Sequence, residues 1–271
     1  LPRILRRAPK VAMTPPTGPV FISLPGDILN MEAGIDLGTS TRVDSRVRPS
    51  DEALAALADR ILKAERPLII AGDEIVKSDA LADAAAFAEM IGAAAMQQTI
   101  TYGSHFLSES PCYMGYLTRD QPEVRAVLAK YDLLVVLGAD PLRMSVWSAV
   151  DPMPDGLEMV QVGLVDWDLA KNYPAKIALR ADVKETLKAL MPVLAKKGGT
   201  ALKERAAHRV AELKSQNWTA KRAKLVAAIE TRAATKPIDV DVLSLRLVEA
   251  LPKDAILVNE GLTTSRRICD L

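Results

Sequence analysis

The chain has 271 residues, 49% of them hydrophobic and 25% charged, which supplies one or two sizeable buried cores and excludes a disordered segment. Its 35 Lys and Arg against 34 Asp and Glu leave a formal net charge of +1, so neither nucleic acid nor a membrane surface is expected as a partner. Two isolated cysteines, Cys112 and Cys269, match no metal or redox spacing; no apolar run reaches bilayer length, the first seven residues lack a signal-peptide core, and a cytoplasmic location is the expectation.

At the amino end Ile4, Leu5, Ala8, Val11 and Ala12 recur at helical spacing, so residues 1–12 read as the end of a helix. A Pro/Gly turn follows, then an apolar strand at residues 20–24 that stops at Pro25. One strand cannot bury both its faces, so its neighbours are expected from sequence before Leu1 or from another chain. Residues 28–49 form a long connection.

Between Pro67 and Leu194 strand-like apolar runs alternate with helix-like periodic segments, the pattern of a parallel sheet. Predicted strands are Pro-Leu-Ile-Ile-Ala-Gly at 67–72, a weaker run at 93–98, Leu-Leu-Val-Val-Leu-Gly at 133–138, and short runs at 160–165 and 176–179. Ser78 is a plausible N-cap for an alanine-rich helix ended by Gly92, and Asp120 caps a helix over 122–130. Asp182 opens an amphipathic helix with Val183, Leu187, Leu190 and Leu194 on one face. The stretch around Gly103, Ser108 and Pro111 reads as loop. Five strands and their covering helices make residues 51–195 one doubly wound α/β domain.

Residues 196–236 carry eleven Lys and Arg against three Glu, a local charge of +8, with Val210, Leu213, Leu225, Val226 and Ile229 as sparse apolar anchors. They read as two amphipathic helices meeting around Asn217 and Trp218, an exposed interdomain connection rather than a nucleic-acid arm, because no aromatics interleave the charge. In residues 237–271 a helix through Val242, Leu245, Val248 and Leu251 ends at Pro252, and a strand is expected at 255–260.

In such a sheet ligands gather at the carboxyl ends of the strands, where the strand order reverses. Candidate loops are therefore Gly72-Asp-Glu, residues 99–105, and Gly138-Ala-Asp-Pro-Leu-Arg143. Glycine at a strand end admits a phosphate, yet neither a G-x-G-x-x-G fingerprint nor a G-x-x-x-x-G-K-[ST] loop is present. Arg143 reads first as an ordinary surface arginine, and His105 and His208 as packing or solvated histidines, since neither has a metal-ligand partner at short spacing.

Arg6-Arg-Ala-x-x-x-Ala followed by Pro16-x-Gly-Pro-Val-x-Ile-x-Leu-Pro-x-Asp resembles the closing segment of the pyrimidine-binding domain of thiamine-diphosphate enzymes. Arg66-Pro-Leu-Ile-Ile-Ala-Gly, Pro111-Cys-Tyr-Met-Gly-Tyr-Leu, Asp132-Leu-Leu-Val-Val-Leu-Gly-Ala-Asp and Val165-Asp166 resemble the central domain of benzoylformate-decarboxylase and acetolactate-synthase-like members. Asp254-Ala-Ile-Leu-Val-Asn-Glu-Gly-Leu-Thr-Thr is similar to the opening of their diphosphate-binding domain.

The resemblance implies a Rossmann-like central domain between incomplete pieces: residues 1–35 ending one domain, 51–195 central, 196–236 connecting, and 237–271 opening another. It implies a 2-oxoacid decarboxylase or carboligase using thiamine diphosphate and magnesium, with a 2-oxoacid substrate and an intact homodimer or homotetramer. Gly261, Leu262 and Thr263 would occupy the loop touching the cofactor diphosphate, although Thr263 or Thr264 also fits a plain N-cap. The family's activating glutamate and its Gly-Asp-Gly magnesium motif are not in this sequence, so the chain is expected to be truncated, with most catalytic groups outside it. Where benzoylformate decarboxylases carry a catalytic histidine, Ser145 stands, which puts benzoylformate in doubt. Two other readings remain: a non-catalytic module holding ADP, FAD or coenzyme A in the central sheet, and an oligomerisation domain with no small ligand.

Overall fold

A computed structural model describes residues 1–101, 103–261 and 266–271. The chain opens with helix α1 (Pro2–Ala12) and the single turn α2 (Gly26–Leu29), after which residues 30–50 run without regular structure. Helix α3 (Asp51–Leu62) begins where the Ser50 hydroxyl accepts a hydrogen bond from the Ala53 amide, and Leu54, Leu57, Ala58 and Ile61 form its buried stripe. Next come β1 (Pro67–Ala71), the turn α4 (Glu74–Lys77), α5 (Leu81–Ile91), β2 (Ala94–Gln97) and β3 (Tyr113–Tyr116). They are followed by α6 (Gln121–Leu128), β4 (Leu133–Leu137), β5 (Glu158–Gly163) and β6 (Ile177–Arg180). Helices α7 (Val183–Lys214), α8 (Trp218–Glu230), α9 (Val240–Ala250) and α10 (Arg266–Asp270) complete the described chain.

The six strands make one all-parallel sheet in the order β3-β2-β1-β4-β5-β6, with the reversal of direction between β1 and β4. Alternate residues of β1 and β4 face opposite layers: Ile69, Val135 and Leu137 pack with Leu54, Phe87 and Leu187, while Leu68, Ile70, Leu134 and Val136 pack with Val124, Leu128 and Met159. Each such side chain, fully buried, contributes about 2 kcal/mol of transfer free energy. Both faces are covered, as the continuous apolar runs require.

Asp120 and Asp182 cap α6 and α7 by accepting from Glu123 and Glu185 amides, both at 2.9 Å. Gly92 ends α5 at φ +63°, and a Cβ there would lie 2.8 Å from Ala206 Cα, so the site needs both glycine's backbone freedom and its lack of a side chain. Asn217 caps α8 through the Ala220 amide at 2.9 Å.

Several expectations change. Strand β3, which follows the stretch read as loop, adds a sixth strand to the five expected; it is a half-buried edge strand with Gly115 at φ +108°, beside a shift of register against β2. Ser78 is not the N-cap of α5: it closes α4, its hydroxyl donating to the Glu74 carbonyl at 2.8 Å, and α5 starts after Ala80 without a side-chain cap. Residues 20–24 and 255–260 form no strands. Phe21 is 91% exposed and Ile256 92%, because no sheet edge runs beside them to take their backbone hydrogen bonds. The helix opened by Asp182 is interrupted at Gly199 (φ 53°, ψ −141°), and the segment of α7 beyond that kink is, with α8, the pair of helices expected between residues 196 and 236.

Candidate functional site

The carboxyl ends of β1, β2, β4 and β5 bring the predicted loops together. At the switch point the Gly72 amide donates to the Leu137 carbonyl at 3.0 Å and the Glu74 amide to the Gly138 carbonyl at 3.2 Å. A Cβ on Gly72 would fall on the Gly138 carbonyl, and one on Gly138, at φ +56°, would fall on the Glu74 side chain. The two glycines therefore serve contact between the loops, leaving no gap for a phosphate between them.

Glu74 fills what remains. Its buried carboxylate accepts from the Leu164 amide at 2.6 Å and the Val165 amide at 3.2 Å, closing the end of β5. Burial pushes its pKa up, against the opposing pull of those two amides. Nothing in the sequence marks this role, since its partners lie 90 and 91 residues away.

On the β2 side, buried Gln97 donates to the Tyr113 hydroxyl at 2.8 Å and accepts from the His105 amide at 2.7 Å. His105 is buried, and desolvation holds its pKa down, which keeps the imidazole neutral; its Nδ1 and Gln98 Oε1 have no partner among the described residues. His208 is exposed, 3.6 Å from Glu212. The packing and solvated readings of the two histidines fit these positions.

The loop after β4 is held from both sides. The Thr99 hydroxyl donates to the Arg143 carbonyl at 2.8 Å, and the Gln121 side chain donates to the Val146 carbonyl at 2.8 Å. Ser145 lies exposed with Arg119 Nη1 at 3.5 Å from its Oγ, and Trp147 beyond it is 85% exposed. Beside this loop Asp140, Gln161, Asp168 and Lys171 line a shallow depression, and burial together with Asp168 pushes the Asp140 pKa up. Burial raises the Cys112 thiol to about 12, so it is no nucleophile. Cys269 is exposed and, like Cys112, forms no disulfide.

Of the three residues predicted to contact a diphosphate, Gly261 is exposed and its amide donates to Asn259 Oδ1 at 2.9 Å. Leu262 and Thr263, with Thr264, lie outside the described residues. No group of three His, Cys, Asp or Glu side chains among the described residues could hold a metal ion, and no described helix is long and apolar enough to cross a membrane.

The family model described as thiamine pyrophosphate enzyme, central domain, matches residues 54–190. Benzoylformate decarboxylase of Pseudomonas aeruginosa is 28% identical over 193 residues, covering 70% of this chain and 36% of that protein. A protein of the same organism named probable 2-ketoarginine decarboxylase AruI is 29% identical over 262 residues, covering 95% of this chain and 43% of its own length. The crystal structure of benzoylformate decarboxylase from Polynucleobacter necessarius superimposes with a TM-score of 0.75 over 98% of this chain and 46% of that one; at 23% identity it speaks for the fold alone. The chain thus spans less than half the length of these relatives.

Proposed function

This chain belongs to the thiamine pyrophosphate enzyme family, whose central domain it carries at residues 54–190, and from that premise we propose that it serves as the central structural domain of a 2-oxoacid decarboxylase or carboligase whose catalytic groups lie mostly outside it. The observation that carries this is the closed switch point: Gly72, Gly138 and Glu74 occupy the crevice where a doubly wound sheet would otherwise admit a ligand. The sheet then acts as scaffold, and its carboxyl edge presents the loop from Gly138 to Trp147 to whatever packs over it.

Residues 1–35 would end the pyrimidine-binding domain and 237–271 would open the diphosphate-binding domain, which accounts for apolar segments at 20–24 and 255–260 that find no sheet here. When bound, thiamine diphosphate supplies the electron sink for loss of carbon dioxide. Gly261, Leu262 and Thr263 would line the loop that meets its diphosphate; of these Gly261 lies exposed at the end of a described segment, its amide donating to Asn259 Oδ1. What this chain contributes is the Ser145 hydroxyl, able to donate a hydrogen bond to a substrate carboxylate but not to take up a proton as an imidazole does. Magnesium, a cytoplasmic location and a homodimeric or homotetrameric assembly belong to the same proposal.

An ADP, FAD or coenzyme A module is disfavoured by the filled crevice, and flavin absorbance of the purified protein should be nil. The complete gene product, given thiamine diphosphate and magnesium, is expected to release carbon dioxide from a member of a 2-oxoacid panel; silence across aryl, alkyl and guanidino-alkyl members would overturn the assignment. Titrating both cofactors into the 271-residue chain should yield no heat, and tight magnesium-dependent binding would contradict the placement of catalytic groups outside it.

A further inference from the structure

The opposite, amino-terminal edge of the sheet carries a cleft of about 360 Å³, a size suited to a small organic ligand. Its floor is apolar: Met96 and Met114 of the two outer strands, Val127 of α6 and Leu213 of α7. The gap exists because α7 is pinned early and released late. Gly92 lets the α7 backbone approach α5, and Arg209 donates to the Ile91 carbonyl at 3.2 Å and the Ala64 carbonyl at 2.8 Å. Beyond Leu213 the helix ends, and the turn into α8 is tied back to β3 from its far side. There Asn217 donates to the Pro111 carbonyl at 3.3 Å and Lys221 Nζ to the Met114 carbonyl at 3.0 Å.

Charge around the cleft is lopsided. Arg66, Lys130, Arg209 and Lys221 line it against Glu65 and Glu212, an excess of two positive charges over an apolar floor. Partial burial, and then the neighbouring Lys130, hold the Lys221 pKa down, so an anion placed between the two ammonium groups would offset both effects. Part of the +8 between residues 196 and 236 thus faces a cavity.

We propose that this cleft binds a small organic monocarboxylate, its carboxylate between Lys130 and Lys221 and its hydrocarbon body on Met96, Met114, Val127 and Leu213. The apolar floor favours an anion with a hydrocarbon body over inorganic phosphate, which has nothing to lay on Met96, Met114, Val127 and Leu213. The site is separate from the carboxyl-edge loops and does not depend on the activity proposed for them.

The test uses the 271-residue chain with 13C-methyl methionine and 4-phenylbutyrate as probe, with neutral 4-phenyl-1-butanol and inorganic phosphate for comparison. Saturable shifts of the Met96 and Met114 methyls are expected with the acid, at least ten-fold weaker affinity for the alcohol, and no shift with phosphate. Lys130→Gln, at an exposed position that leaves the fold intact, and the double variant with Lys221→Gln should each weaken the acid, the double by ten-fold or more, while the remaining methyl signals stay in place. Equal affinity for acid and alcohol would reduce the site to an apolar crevice, equal shifts by phosphate would reduce it to an anion patch, and acid binding indifferent to Lys130→Gln would remove the assigned contact. Each of these results overturns the proposal.

Discussion

Strand β1, Pro-Leu-Ile-Ile-Ala, and residues 20–24, Val-Phe-Ile-Ser-Leu, have nearly the same strand-forming character and opposite fates. Every residue of β1 is buried between β2 and β4, whereas Phe21 stands 91% exposed and no residue from 1 to 48 is buried. The same contrast recurs at the other end, where residues 255–260 repeat the pattern of β4 and remain open. A strand is a property of a sequence together with its neighbours: ladder hydrogen bonds and two covering layers turn an apolar run into core, and without them the run stays in solvent. The flanking runs at 20–24 and 255–260 have no ladder among the described residues, and that difference from β1 can be measured.

The largest expected effect falls at the switch point. Gly72→Ala puts a Cβ on the Gly138 carbonyl, where only backbone movement of two core loops can relieve it, so the urea unfolding free energy should drop by at least about 3 kcal/mol. Glu74→Ala comes next: it leaves the Leu164 and Val165 amides buried without an acceptor and should cost about 2 kcal/mol. Its cost should also depend on pH in a fixed direction. Because the folded-state pKa of Glu74 is raised above its ordinary value of 4.5, the folded protein holds that proton more tightly, and the stability this gives is present below 4.5 and lost as pH rises through the raised value. The gap between wild type and Glu74→Ala should thus narrow from pH 4 to pH 7; a gap that widened would mean that the two amides, not burial, dominate the carboxylate.

Legibility followed locality. The strands at 67–72 and 133–138, and the caps at Asp120 and Asp182, can be read because each signal and its consequence lie within a few residues. Strand β3 could not, because Tyr-Met-Gly-Tyr carries a turn residue and owes its pairing to β2, with Phe106 and Trp218 packed on Tyr113. The helices on either side of Asn217 could be read as well, because Val210 and Leu213 before it and Leu225, Val226 and Ile229 after it repeat at helical spacing. For the candidate site, the sequence names the right loops but not what they do with one another. That Gly72, Glu74 and Gly138 close on themselves depends on contacts across the switch point, and the amino-edge cleft needs residues of six separate elements.

Smaller effects sharpen the boundary between core and flank. Asn217→Ala removes the α8 cap and the tie to Pro111, and should cost about 1 kcal/mol in the same unfolding experiment, placing α8 inside the cooperative unit of the sheet.

Phe21→Ala is the smallest and the most discriminating. An aromatic side chain deleted from a core costs about 3–5 kcal/mol, yet Phe21 is almost wholly in water, so its removal should shift stability by less than about 0.5 kcal/mol. A loss of 1 kcal/mol or more would mean that residues 20–24 pack in solution on a surface of this chain, and the contrast with β1 would be one of degree. A null result would keep the contrast one of kind, with the same apolar character forming core in β1 and remaining in solvent at 20–24.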